Sequence, residues 1–145
     1  MSPATERRLL QVVVTMACGV SLSASLFGLW RGAAWLGRGA VLPTDLDSHF
    51  RYLSGIFLVM GLAFVATIPR IESAGPRLRL LGTMVVAGGL ARLASLALVG
   101  TPSTGHLVGL CVELGVVPTV LVWQARVARR YRTPSSPAPA STDAG

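Results

Sequence analysis

Residues 80–123 read LLGTMVVAGGLARLASLALVGTPSTGHLVGLCVELGVVPTVLVW: two apolar runs joined by a short turn. The first run, Leu80–Gly100, has 21 residues and one charge, Arg92. The second, His106–Trp123, has 18 residues and one charge, Glu113. About 20 apolar residues cross a bilayer as a helix. In lipid only helices and closed barrels satisfy their backbone groups, and these runs are too long and too continuous for barrel strands. The turn Gly100-Thr101-Pro102-Ser103-Thr104-Gly105 is short enough to predict an antiparallel helical hairpin.

The hairpin decides how the two charges are read. Arg92 lies eight residues before Gly100, and Glu113 lies seven residues after His106. At the helical rise these are depths of about 12 and about 10.5 Å from the same turn. Neighbouring antiparallel helices therefore bring opposite charges to one level. An isolated charge in a span costs about 2.5–3.5 kcal/mol on insertion scales, and arginine cannot shed its proton. The expectation is a bidentate Arg92–Glu113 pair pointing into the bundle.

Two more apolar segments precede the hairpin. Leu9–Trp30 has 22 residues without a charge, and Tyr52–Ile68 has 17. The first is longer than the apolar core of a signal peptide, so it is expected to stay as a membrane helix. Together the segments predict four helices near residues 8–31, 45–69, 77–100 and 105–130. Before the second, Thr44 is a suitable N-cap and Asp47 stands three residues on, an acidic form of the capping box. Pro69 is expected to end that helix, and Pro76 to precede the next. The fold class is all-α, an integral membrane four-helix bundle in one domain over residues 1–132. Residues 133–145, rich in Pro, Ser, Ala and Thr, read as a disordered tail.

Composition agrees. Of 145 residues, 52% are hydrophobic and 13% charged, and mean hydropathy is +0.61. Soluble domains carry about 25% charged residues, so a soluble enzyme or a nucleic-acid module is a poor reading. The net charge of +7 comes from thirteen arginines, and no lysine is present. These arginines sit mostly at the ends of the apolar runs, where they meet lipid headgroups rather than nucleic acid. Nine flank one side (Arg7, Arg8, Arg70, Arg77, Arg79, Arg126, Arg129, Arg130 and Arg132), and three flank the other (Arg31, Arg38 and Arg51). The positive-inside rule then places both termini of a multi-pass membrane protein in the cytoplasm.

Other polar residues converge on the outer half. His106, Gly109 and Glu113 share a helix face by their i, i+3, i+7 spacing. Asp47 and Arg51 share another, and their plainest reading is an i, i+4 surface pair worth a few tenths of a kcal/mol. Gly88 and Gly89 are expected to leave room beside Arg92, and Pro118 to kink the fourth helix. Small residues at four-residue spacing, such as Ala17, Ser21 and Ser25, mark faces for close packing or oligomerisation. Cys18 and Cys111 read as small buried hydrophobes. Two histidines and two cysteines without close ligand spacing offer no metal site, and no cofactor is expected.

The strings Asp47-Ser48-His49-Phe50-Arg51-Tyr52-Leu53-Ser54-Gly55, Gly88-Gly89-Leu90-Ala91-Arg92 and Glu113-Leu114 with Pro118 resemble the DUF4345 family of small bacterial membrane proteins. The resemblance spans roughly residues 9–130. It implies a four-helix fold and puts Arg51, Arg92 and Glu113 at motif positions; it implies no activity. The functional expectation is a membrane protein that binds a small lipophilic or amphiphilic molecule in an outer-facing pocket lined by Arg92, Glu113, Arg51, Asp47 and His106. The alternatives are a membrane enzyme with Glu113 as acid/base and a purely structural or assembly subunit.

Overall fold

The computed structural model describes residues 1–35 and 43–132. Arg38, most of the first connection and the 133–145 tail lie outside the described residues. Within them the protein is all-helical, with four helices long and apolar enough to cross a membrane.

Helix α1 spans Pro3–Arg31. It starts five residues before the expected position, because Ser2 caps it by accepting from the Thr5 N–H at 3.2 Å and Pro3 suits the first turn. Glu6, Arg7 and Arg8 are thus helical rather than flanking. A 3₁₀ turn, Gly32–Trp35, follows.

Helix α2 spans Thr44–Val65, and Ile68–Arg70 forms a further 3₁₀ turn around Pro69. The expected capping box does not form. Thr44 is the first helical residue, Pro43 stands at the cap, and no side chain caps the end. The Asp47 carboxylate is engaged elsewhere, on Ala33 and Arg51.

Helix α3 spans Gly75–Leu98 with Pro76 in its first turn. Gly100 has φ +122°, a backbone state that favours glycine, and here the chain reverses. Helix α4 then runs Thr104–Arg132. It is interrupted by one π turn, Val112–Val116.

Helix α1 packs along α2, and α3 packs on the second half of α4. Glycines permit the close approaches. Gly61 meets Leu22 between α1 and α2, and Gly82 meets Leu121 between α3 and α4. The shared core gathers at one end of the bundle, from Leu10, Val14 and Cys18 of α1, Ile71 of the loop, Leu78 of α3 and Val127 of α4. Cys18 is buried as expected, whereas Cys111 is exposed.

Three side chains pin the loop after α2 by its carbonyls. Gln11 Nε2 donates to Ile68 O at 2.8 Å, Arg7 to Pro69 O at 2.8 Å, and Gln124 Nε2 to Ile71 O at 2.9 Å. Elsewhere much of the apolar surface faces outward. The most apolar windows of the four helices are 22, 22, 11 and 0% buried within the chain, so their hydrophobic surface is presented to the surroundings.

Candidate functional site

Glu113 sits in the π turn of α4. There the Val117 N–H donates to Val112 O, five residues back rather than four. Pro118 explains the position. It has no N–H for the Leu114 carbonyl, and its ring would crowd that carbonyl in a regular helix. The wide turn directly precedes Pro118. One extra residue in a turn rotates the helix on its N-terminal side by about 100° relative to the helix on its C-terminal side. Glu113 and Leu121 would stand about 80° apart on a regular helix. The π turn lets both face α3, where Leu121 meets Gly82 and the Glu113 Cβ meets Gly89.

Across this contact Arg92 Nε donates to Glu113 Oε2 at 3.0 Å. The pair forms at the level set by the turn, as the depth arithmetic required. It is single rather than bidentate: the terminal guanidinium nitrogens of Arg92 take no partner among the described residues. The carboxylate is the more covered partner, with the Glu113 side chain 14% exposed and Arg92 33%.

The two glycines before Arg92 differ. Gly88 has nothing within 4 Å of where a Cβ would stand. A Cβ on Gly89 would come within 2.8 Å of Leu114 and 2.9 Å of the Glu113 Cβ. Gly89 is therefore the contact point of the hairpin and leaves no space beside Arg92. Only Gly88 leaves open room.

Asp47 and Arg51 form a second site. Asp47 Oδ2 accepts from Arg51 Nε at 2.8 Å, and Oδ1 accepts from the Ala33 N–H at 2.8 Å. Arg51 also donates to the carbonyls of Leu29 and Trp30. This pair closes the end of α1, satisfying carbonyls that a helix terminus leaves open. Gly32, at φ +58°, turns the chain under it, and a Cβ there would collide with the Asp47 carboxylate. The pair is thus more than the expected surface contact. His106 makes a local bond, Nδ1 to Ser103 Oγ at 2.9 Å, at the start of α4. Among the described residues no hydrogen bond or ion pair joins Asp47, Arg51 or His106 to Arg92 and Glu113. Nor do three His, Cys, Asp or Glu side chains gather there as a metal set.

A family model described as a domain of unknown function, DUF4345, matches residues 7–124. The chain belongs to the DUF4345 family. No curated protein and no solved structure matches it. The DUF4345 stretch includes both polar pairs, the π turn and Pro118, and it ends before Arg126.

The densest ionic contacts lie at the other end of the bundle, where sequence reading saw only flanking arginines. Glu6 is buried, with Oε2 at 2.8 Å from an Arg130 terminal nitrogen and Oε1 at 3.4 Å from Arg126 Nε. Arg7 Nε pairs with Glu72 at 2.8 Å. A signal for Glu6 was present. Glu6, Leu10, Val14 and Cys18 recur every four residues and are all buried, so the inward stripe of α1 ends in an acid. Such an acid requires cationic partners, and α4 supplies Arg126 and Arg130 at i, i+4.

Proposed function

We propose that this DUF4345 protein is a multi-pass protein of the bacterial plasma membrane, with both termini cytoplasmic, that binds a small anionic amphiphile through Arg92. One observation carries this reading. Glu113 engages Arg92 only at Nε, and the terminal guanidinium nitrogens, on a side chain one-third exposed, have no partner among the described residues. Arg92 stands about 9 Å before the end of α3 at Leu98. At that depth water is scarce and unpaired guanidinium donors are costly. A carboxylate or phosphate on a lipophilic tail would accept their hydrogen bonds while its tail lies against the exposed apolar faces. A π turn carrying the partner acid is in keeping with this, since such turns recur at functional positions.

The test is thermal unfolding of the purified protein with a panel of anionic and neutral amphiphiles. Binding raises the melting temperature by mass action. A shift with anionic members, lost in the Arg92→Leu, Glu113→Leu double variant, supports the site. If no amphiphile shifts the wild type, the pair is architectural. Reporter fusions at residue 132 and in the 31–43 connection test the orientation, and a periplasmic C-terminus would overturn it.

A further inference from the structure

The end of the bundle that holds Glu6 also carries two adjoining grooves, neither of them lined by Arg92 or Glu113. One, of about 340 Å³, is lined by Met1, Glu6, Thr119, Trp123, Arg126 and Arg130. The other, of about 450 Å³, is lined by Pro118, Thr119, Val122, Trp123 and Arg126. They share Thr119, Trp123 and Arg126, so they adjoin along α4 as a two-part trough. Its chemistry is graded. From Pro118 to Val122 the wall is apolar apart from Thr119, whose hydroxyl donates to Gly115 O, and from Arg126 to Arg130 it is basic. Pro118 and Arg126 are about 12 Å apart along the helix axis, about the length of the upper part of an acyl chain.

The charge at the basic end is unbalanced. One carboxylate, Glu6, faces two guanidinium groups. The Arg126 side chain is 66% exposed, and only its Nε approaches Glu6, at 3.4 Å. Its terminal nitrogens have no partner among the described residues. Trp123 packs one side against the core while it borders both grooves.

We infer that this trough is a binding site for an anionic phospholipid of the leaflet around this end of the bundle, with the phosphate on Arg126 and Arg130 and one acyl chain along Pro118, Val122 and Trp123. Charge complementarity selects the occupant, because basic pockets at the ends of membrane helices recognise anionic headgroups, and the apolar wall requires a tail that free phosphate lacks. The inference rests on the proposed membrane insertion and is independent of the Arg92 site.

The experiment uses the full chain with Trp30→Phe and Trp35→Phe, so that Trp123 is the single tryptophan. It is placed in phosphatidylcholine nanodiscs doped with brominated phosphatidylglycerol or, at equal mole fraction, brominated phosphatidylcholine. Stronger quenching of Trp123 by the brominated phosphatidylglycerol is expected. Arg126→Gln should reduce this preference about fivefold. Arg126→Lys should retain most of it. Arg77→Gln, the same charge change on an exposed position at the same end of the bundle, should leave it intact. Equal quenching by the two lipids in the unsubstituted background overturns the site. So does an equal loss in Arg126→Gln and Arg77→Gln, which would mean general surface charge. Quenching by neither lipid would instead remove the membrane reading itself.

Discussion

Arg92 Nε and Glu113 Oε2 lie 3.0 Å apart across the α3–α4 hairpin, and the acid reaches that position on the one π turn among the described residues. The pair and the irregular turn are mechanically linked, because the wide turn just before Pro118 brings Glu113 toward α3. Removing either charge alone should destabilise the hairpin by about 1.5–3 kcal/mol, the usual range for a hydrogen bond to a charged group. The Arg92→Leu, Glu113→Leu double variant should lose less than the sum of the two singles. Unfolding in micelles reads this cycle, and strict additivity would show that the two groups do not interact.

Gly88 and Gly89 should respond in opposite directions to the same substitution. At Gly89 a new Cβ meets Leu114 and Glu113 inside 3.0 Å, so Gly89→Ala should cost about 1–3 kcal/mol by overpacking. Gly88 has open space, so Gly88→Ala should be neutral or stabilise the helix by up to about 1 kcal/mol. Melting temperatures of the two variants decide the matter. Equal effects would mean that the hairpin does not close at Gly89.

The end of α1 offers a coupled test. Gly32→Ala introduces a side chain at φ +58° and into the Asp47 carboxylate, so it should be destabilising. Asp47→Ala should also destabilise, since Ala33 and Arg51 both lose their acceptor. Combined, the two should cost less than their sum, because the second removes the atom with which the first collides. A thermal double-variant cycle measures this, and a coupling near zero would refute the arrangement.

Glu6→Gln should loosen the basic end of the bundle. It leaves Arg126 and Arg130 without their carboxylate, and because both arginines are partly exposed the expected loss is about 1 kcal/mol. The matched control is Thr5→Ser, one position along on the exposed side of the same turn, expected to stay within about 0.5 kcal/mol. Faster proteolysis at the ends of the chain in Glu6→Gln, with α3–α4 contacts unchanged, is the accompanying expectation.

Four helices, the antiparallel hairpin and the level of Arg92 against Glu113 were legible in the linear chain. Run length, turn length and helical rise are local quantities, and two residues joined by a short turn inherit their relation from counting alone. Glu6 with Arg126 and Arg130, the π turn, and the use of Asp47 and Arg51 to close α1 were settled only by the fold. The partners in the first case lie at opposite ends of the sequence, and no spacing rule links them until α1 and α4 pack side by side. The π turn arises from a competition between the Pro118 ring, the Gly82 and Gly89 contacts and the Arg92 charge, which act on α4 together only once α3 lies against it. Periodicity shows which face of a helix turns inward; which acid meets which arginine depends on the register between helices, and that is fixed by packing.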